Sequence, residues 1–376
     1  MKVAVFFTWN YALTTWSESG TLSRELKFFQ KIENENDVSF SFFTYGNNQD
    51  SKLAFEYKLQ EVHPIYSSTK YYKSKFLRIL SSIYLPVKFK EKIENVDLLF
   101  QNQLLGCWIP ILIKKIYKKP LVIRTGYDML DFAKQDKKSY FIIFLYKILT
   151  NFAVKNCNYF TVTSKNDFNR FVSNYPKYKE KFLLRPNWVE VNDFTEFTER
   201  HSNRVLAVGR LVSQKNFSYL ISEFENVKKD WVLDIVGTGP DVEKLSGQAK
   251  KQNVSINLIG NLNNEELLKL YQKYKYFIST SLFEGNPKSL LEAMGSGCIV
   301  IGSNINNHTE IISDNTNGYL FEIKKSYLQR KFELVLENYS NLPLISKNAH
   351  MFIKNEHSLN SSAETFYQDF YKTLSK

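Results

Sequence analysis

Between Ser281 and Gly297 the chain reads SLFEGNPKSLLEAMGSG, and two carboxylates, Glu284 and Glu292, frame the middle of it. A helix is predicted to open near Pro287, because proline suits the first helical turn, where its missing N–H costs nothing. Glu284 then falls in the loop before that helix and Glu292 inside it. Gly285 permits close backbone approach, and Asn286 completes the turn. The amides of Lys288, Ser289 and Leu290 are expected to face an anion, since a helix start carries unpaired N–H groups and partial positive charge. Any one of these glutamates could be an ordinary surface residue; the cluster as a whole is harder to dismiss.

A second element is VGRLVSQK, residues 208–215. Arg210 and Lys215 leave the end of a predicted strand and flank the next helix start, a natural clamp for a diphosphate. A third, VGTGP at 236–240, lacks the final glycine of a GxGxxG fingerprint. Gly237 there reads first as a tight strand-to-helix turn and second as a nucleotide contact. Carboxylates on both sides of an anion-binding turn suit a ligand with phosphate in its middle and hydroxyls at both ends, which is the form of a sugar nucleotide.

These residues need elements to hold them. Short β-branched or aromatic runs alternate with helical patterns along the chain. In the first half the predicted strands are Val3–Thr8, Val38–Phe43, Leu98–Asn102, Leu121–Thr125 and Tyr159–Ser164. In the second they are Val205–Gly209, Val232–Gly237, Ser255–Gly260, Tyr276–Ser279, Ile299–Gly302 and Tyr319–Glu322. Nearly continuous apolar strands between helices mark parallel sheets covered on both faces. In such sheets, ligands bind beyond the carboxyl ends of the strands. The pattern predicts two doubly wound α/β domains, 1–187 and 188–360, with the break in the aperiodic stretch Pro186–Asn203. A final helix over 361–376 could pack on either domain, and the first is the expected one.

The spacing of Glu284 and Glu292, with Arg210 and Lys215 upstream, resembles the retaining GT-B glycosyltransferases of family 4, particularly the bacterial surface-polysaccharide type. RPNWVEVNDF at 185–194, VGTGPDVEKL at 236–245, INLIGNLNNEELLKLY at 256–271 and the run from GCIVIGSNINNHTEII to NGYLF extend the similarity. It is specific over residues 185–322 and general before them. The resemblance implies two Rossmann-like domains facing a central cleft, the first binding acceptor and the second a nucleotide-diphosphate sugar. It assigns the diphosphate to Arg210 and Lys215, the donor sugar to Glu284, the ribose to Glu292, and backbone contacts to Asn286–Leu290. The family's Gly-Gly pair is reduced to Ser19-Gly20, where Gly20 can still admit a phosphate. Tyr127 stands where the family often has a histidine, so Tyr127 and Asp128 are candidates for sugar or acceptor contact. No metal or cofactor is implied; positive charges and helix N-termini would stabilise the leaving diphosphate. Front-face attack is the implied route to retention.

Composition bounds the rest. The 376 residues, 43% hydrophobic and 23% charged, suit two globular domains. Residues 1–187 hold 29 Lys and Arg against 16 Asp and Glu, a net +13, whereas residues 188–376 hold 21 against 22. A basic first half seeks a polyanion. The segment KYYKSKFLRILSSIYLPVKFKEK, 70–92, fits either a helix covering the sheet, broken at Pro86, or a surface for anionic membrane. The three scattered cysteines point to reduced thiols and a cytoplasmic location, peripheral to the membrane on the second reading of 70–92. The expected partners are a UDP-sugar donor and a saccharide or lipid-linked acceptor. Two other classes compete: a nucleotide-sugar epimerase of the same fold, acting without an acceptor, and a nucleic-acid binder. The carboxylate spacing disfavours the first, and the lack of any RNP, KH or finger signature makes the second remote.

Overall fold

The computed structural model describes residues 1–191, 194–227 and 230–375; Asn192 and Asp193 of the expected linker and Lys376 of the expected last helix lie outside the described residues. The chain divides into two units, Met1–Arg185 with Ala363–Lys376, and Pro186–Ser362.

The first unit holds β1 (Lys2–Phe6), β2 (Ser39–Thr44), β3 (Glu61–Pro64), β4 (Leu98–Asn102), β5 (Leu121–Arg124), β6 (Tyr159–Val162) and β7 (Phe182–Leu184). They form one sheet in the order β3-β2-β1-β4-β5-β6-β7, and every pairing is parallel. This is the Rossmann order, with the reversal between β1 and β4. β3 and β7 were not expected from the sequence. Both are short edge strands, and β3 reads EVHP, with a proline that an edge alone tolerates.

Aromatic residues make this unit's core. Phe40 and Phe42 alternate with Phe43 along β2, so they reach opposite faces. Phe29 packs against Phe40 and Phe42 at 5.0 and 5.2 Å, while Phe43 stacks on Phe6 at 4.8 Å. The last helix, Leu359–Leu374, supplies Phe366 and Phe370, which meet Phe100 at 6.0 and 5.3 Å. Arg185 clasps Asp369 of that helix through two bonds of 2.6 and 2.7 Å, the planar geometry that arginine offers a carboxylate.

The second unit holds β8 (His201–Val208), β9 (Val232–Val236), β10 (Ile256–Gly260), β11 (Tyr274–Ser279), β12 (Ile299–Ser303) and β13 (Tyr319–Phe321). The sheet is again parallel, in the order β10-β9-β8-β11-β12-β13. Strand β8 starts four residues before the expected Val205, because His201 already bonds to the Lys273 carbonyl. Two hydrophobic clusters cover the sheet, one around Val205, Ile235, Tyr276 and Phe332 and one around Leu206, Phe277, Leu291 and Val300. Successive residues of one strand serve opposite clusters, as a doubly covered sheet requires.

Candidate active site

In the second unit the order reverses between β8 and β11, and the loops leaving these two strands meet. The β8 loop runs from Gly209 through a 3-10 turn, Ser213–Lys215, to Asn216, whose left-handed φ of 54° starts the helix Phe217–Phe224. The β11 loop runs through Glu284 to Pro287, which caps the helix Lys288–Gly295. Pro287 therefore stands just before the helix. The Leu282 amide donates to the Gln214 carbonyl at 2.9 Å, and the Gln214 side-chain amide donates to the Phe283 carbonyl at 2.8 Å. Thr280 Oγ1 donates to the Lys215 carbonyl at 2.9 Å. The two loops are thus joined by neutral hydrogen bonds before any charge is considered.

Across that join Lys215 Nζ pairs with Glu284 Oε1, and the Ser281 hydroxyl donates to the same carboxylate oxygen at 2.6 Å. The aliphatic stem of Lys215 crosses the α-carbon of Gly209, where a Cβ would lie 3.0 Å from it. Glu284 is only 9% exposed. Burial works to raise its carboxyl pKa, but Lys215, Ser281 and neighbouring His308 together hold it below the ordinary range. His308 is fully buried; desolvation pushes its imidazole down to about 4, against the pull of Glu284. Its Nδ1 meets the Ser303 carbonyl at 2.9 Å, while Nε2 is buried with no hydrogen-bond partner.

Asparagines fix the rest of the loop. The Asn187 amide donates to Asn286 Oδ1 at 2.9 Å, and Asn187 Nδ2 donates to the Asn286 carbonyl at 2.7 Å. Asn307 Nδ2 donates to the Gly285 carbonyl. Lys288 Nζ lies over the ring of buried Trp188, 5.4 Å from its centre. The segment before the second sheet is therefore a brace for this loop, with His357 Nδ1 bonded to the Asn187 carbonyl at 3.0 Å behind it. Asn187, Asn307 and His308 are not among the expected site residues, although all three lie in the motifs that carry the family resemblance.

The remaining expected residues separate into groups. Arg210 is exposed on the β8 loop, outside the ion pair. Glu292 is 2% exposed, with the Asn264 amide and the Tyr271 hydroxyl each 3.4 Å from its oxygens. Lys288 and Ser289 occupy the first two helical positions, where amides have no intrahelical partner. Leu290 differs from the expectation: its amide donates to the Pro287 carbonyl at 3.1 Å, so it does not face an anion. Gly237 has φ +139°, and a Cβ there would lie 2.0 Å from the Gly209 carbonyl oxygen. Its bare α-carbon lets the β9 loop close on the β8 loop.

Three expected residues belong to the first unit. Gly20, at φ +69°, closes the turn after the helix Leu13–Glu18, with its amide 2.9 Å from the Ser17 carbonyl. The Tyr127 ring packs on Phe132 at 4.5 Å. Asp128 caps the helix Met129–Gln135 by accepting from the Leu130 and Asp131 amides at 3.0 and 3.2 Å, and it pairs with Arg170 at 3.0 Å. Burial raises its carboxyl despite Arg170.

Two parallel Rossmann-like sheets, with a charged pair bridging the switch point of the second, are the architecture of the GT-B fold. Residues 190–357 match the family model described as glycosyl transferases group 1, so the second unit carries that family's domain. An uncharacterised glycosyltransferase of Methanocaldococcus jannaschii is 24% identical over 94% of this chain and 95% of its own length. The amylovoran biosynthesis glycosyltransferase AmsD of Erwinia amylovora is 33% identical over 37% of this chain and 39% of its own length. In fold, the chain is similar to Anabaena HepE in complex with UDP, with a TM-score of 0.78 at 14% identity, covering 99% of this chain and all of that one. The protein is a glycosyltransferase.

Proposed function

We propose that this enzyme transfers a sugar, with retention of anomeric configuration, from a UDP-sugar to a saccharide acceptor in surface-polysaccharide synthesis. The observation that carries the donor reading is the Lys215–Glu284 pair at the carboxyl ends of β8 and β11. Lys215 and exposed Arg210 supply positive charge for the departing diphosphate, with the helix start at Lys288 and Ser289 adding dipole stabilisation. Glu284, held ionised by Lys215 and Ser281, accepts hydrogen bonds from donor-sugar hydroxyls and orients the ring. Glu292 serves the ribose. The UDP complex of HepE and the polysaccharide role named for AmsD support the choice of base and pathway class. In this reading Glu284 is no nucleophile, and a glycosyl adduct trapped on the wild-type enzyme would overturn that part.

A thermal-shift panel with UDP, GDP, ADP and CMP on wild type and Glu292→Ala tests the donor assignment. UDP alone should stabilise the wild type, and the shift should shrink in the variant. Conversion of a UDP-sugar to its epimer without any acceptor, as opposed to hydrolysis that releases UDP, would favour an epimerase instead.

We infer further that the enzyme works against an anionic membrane surface. The helix Lys75–Ser82 and the turn after it expose Phe76, Leu77, Leu80 and Ile83 among lysines, and the helix Tyr140–Asn156 exposes Phe141, Phe144 and Ile148. Among the described residues no helix is long and apolar enough to cross a membrane, so the contact would be peripheral. Sedimentation with anionic vesicles should be salt-sensitive and lost in Phe76→Ser/Phe144→Ser; no binding at low salt would reject it.

A further inference from the structure

The first unit contains a pocket of about 280 Å³ that none of the expected site residues lines. Trp9 comes from the chain just after β1, Tyr45 from just after β2, and Ile65 and Tyr66 from just after β3. The pocket therefore lies at the carboxyl edge of the sheet, where open α/β sheets bind ligands. The far wall is the helix Lys75–Ser82 with the residues following it, which contribute Arg78, Ser82 and Lys88.

Three features of the wall define what it takes. It is rich in aromatic faces, which suit the apolar faces of a small ring ligand. Its charges are all positive: Lys70, Arg78 and Lys88 line it, and no described Asp or Glu does. Arg78 is the third feature. It is 9% exposed, and one terminal nitrogen donates to Asn10 Oδ1 at 3.0 Å and lies 3.2 Å from the Tyr71 hydroxyl. Its Nε is buried with no partner, and no carboxylate among the described residues pairs with it. An arginine cannot shed its charge, and a buried charge without a counter-ion is costly. An anionic ligand in the pocket would supply the missing counter-ion.

We propose that this pocket binds an anionic sugar ring, with Arg78 and Lys88 on its phosphate or carboxylate and Trp9, Tyr66 and Tyr72 around the ring. As an acceptor subsite it rests on the glycosyl-transfer reading; as a binding site it does not. The volume is near the lower end of ligand pockets and suits one residue of an acceptor, not a long chain.

Calorimetric titration of the full chain, with UDP present to occupy the donor side, tests this. The probes are glucose 6-phosphate, glucuronic acid, glucose and inorganic phosphate. One or both anionic sugars should bind, at least about tenfold more tightly than glucose or phosphate, a gap of about 1.4 kcal/mol. The tighter of the two names the anion. Arg78→Met should weaken that binding about tenfold or more, and Lys88→Gln severalfold, with UDP binding unchanged in both. Lys88 is exposed, so its variant keeps the test valid if Arg78→Met fails to fold. Absence of binding by both anionic sugars, equal binding of glucose or phosphate, or binding indifferent to the substitutions would each overturn the proposal. Failure of UDP to bind in the same titration would count against the donor assignment and leave the pocket standing.

Discussion

The two units share a strand order but close their switch points differently. In the first, neutral groups tie the β1 and β4 loops: Thr8 Oγ1 donates to the Asn102 carbonyl at 3.0 Å, the Trp9 amide to the Leu105 carbonyl at 3.0 Å, and buried Gln101 reaches the Phe7 and Leu105 carbonyls at 3.3 Å. The cavity of that unit lies to one side, against β1, β2 and β3. In the second, neutral bonds again tie the β8 and β11 loops, and a charged pair, Lys215–Glu284, is added to them, with neutral His308 behind it. A buried pair, Arg124–Glu25, lies beside the first joint, with Arg124 also 3.4 Å from Asn102 Oδ1, but the bonds between the two loops themselves are neutral. A joint that adds an ion pair has charge to offer a ligand: on the proposed reading, an incoming diphosphate would compete for the lysine and sugar hydroxyls for the glutamate. On the proposed reading, the difference gives chemistry to the second unit and recognition to the first.

The largest test breaks the charged joint. Lys215→Met should lower kcat/KM for transfer by about 10²–10³-fold, the usual cost of losing one electrostatic stabiliser. It should also lower stability, since Glu284 is left buried without its cation. Arg210→Met, on the exposed part of the same loop, should lower kcat/KM less and leave stability within about 0.5 kcal/mol. Near-normal transfer by Lys215→Met, measured under saturating acceptor, would reduce the pair to a structural joint like that of the first unit.

The comparison sharpens with pH, because the units contain groups displaced in opposite directions. Burial lowers the His308 pKa to about 4 from its ordinary 6.5. Between those values the unfolded chain takes a proton that the folded one refuses, so stability falls as pH falls, by at most about 3 kcal/mol. In the first unit, Asp167 belongs to a cluster of three carboxylates around Arg170, and burial raises its pKa to about 6. There the folded state holds the extra proton, so its contribution to stability rises as pH falls from about 6 toward 4. Denaturant melts across pH 4–7 should show His308→Asn less acid-sensitive than wild type and Asp167→Asn more so. Identical pH slopes for the two variants would erase the contrast.

What was legible in the sequence follows the same division. Glu284, Pro287 and Glu292 sit in one strand–loop–helix passage, so their types and spacing announce the site, and Lys215 lies in another such passage. The parts that were not legible come from several passages at once. Asn187 and Asn286 meet across 99 positions of sequence, and His308 reaches Glu284 only because β11 and β12 are neighbours. The first-unit pocket draws on four segments between Trp9 and Lys88, each reading as ordinary aromatic or basic surface by itself. β3 and β7 escaped because an edge strand of three or four residues needs neither a long apolar run nor alternation. The anion expected at the Leu290 amide failed for a local reason: with Pro287 as cap, that amide bonds back to the cap's own carbonyl.

The smallest expected effects concern Tyr127, which stands where the family often has a histidine, and Asp128 beside it. Asp128→Ala removes acceptors from the Leu130 and Asp131 amides, which should cost about 0.5–2 kcal/mol, the range for a lost cap. The cost is moderated because one of three carboxylates crowding Arg170 disappears. Tyr127→Phe keeps the ring that packs on Phe132 and should change stability by less than about 0.5 kcal/mol. Because Tyr127 is 37% exposed and its ring contact survives, transfer should stay close to wild type. A large fall in kcat with stability unchanged would mean that the Tyr127 hydroxyl takes part in the reaction. Chemistry would then extend into the first unit, and the division between a chemical and a recognising unit would have to be redrawn at β5.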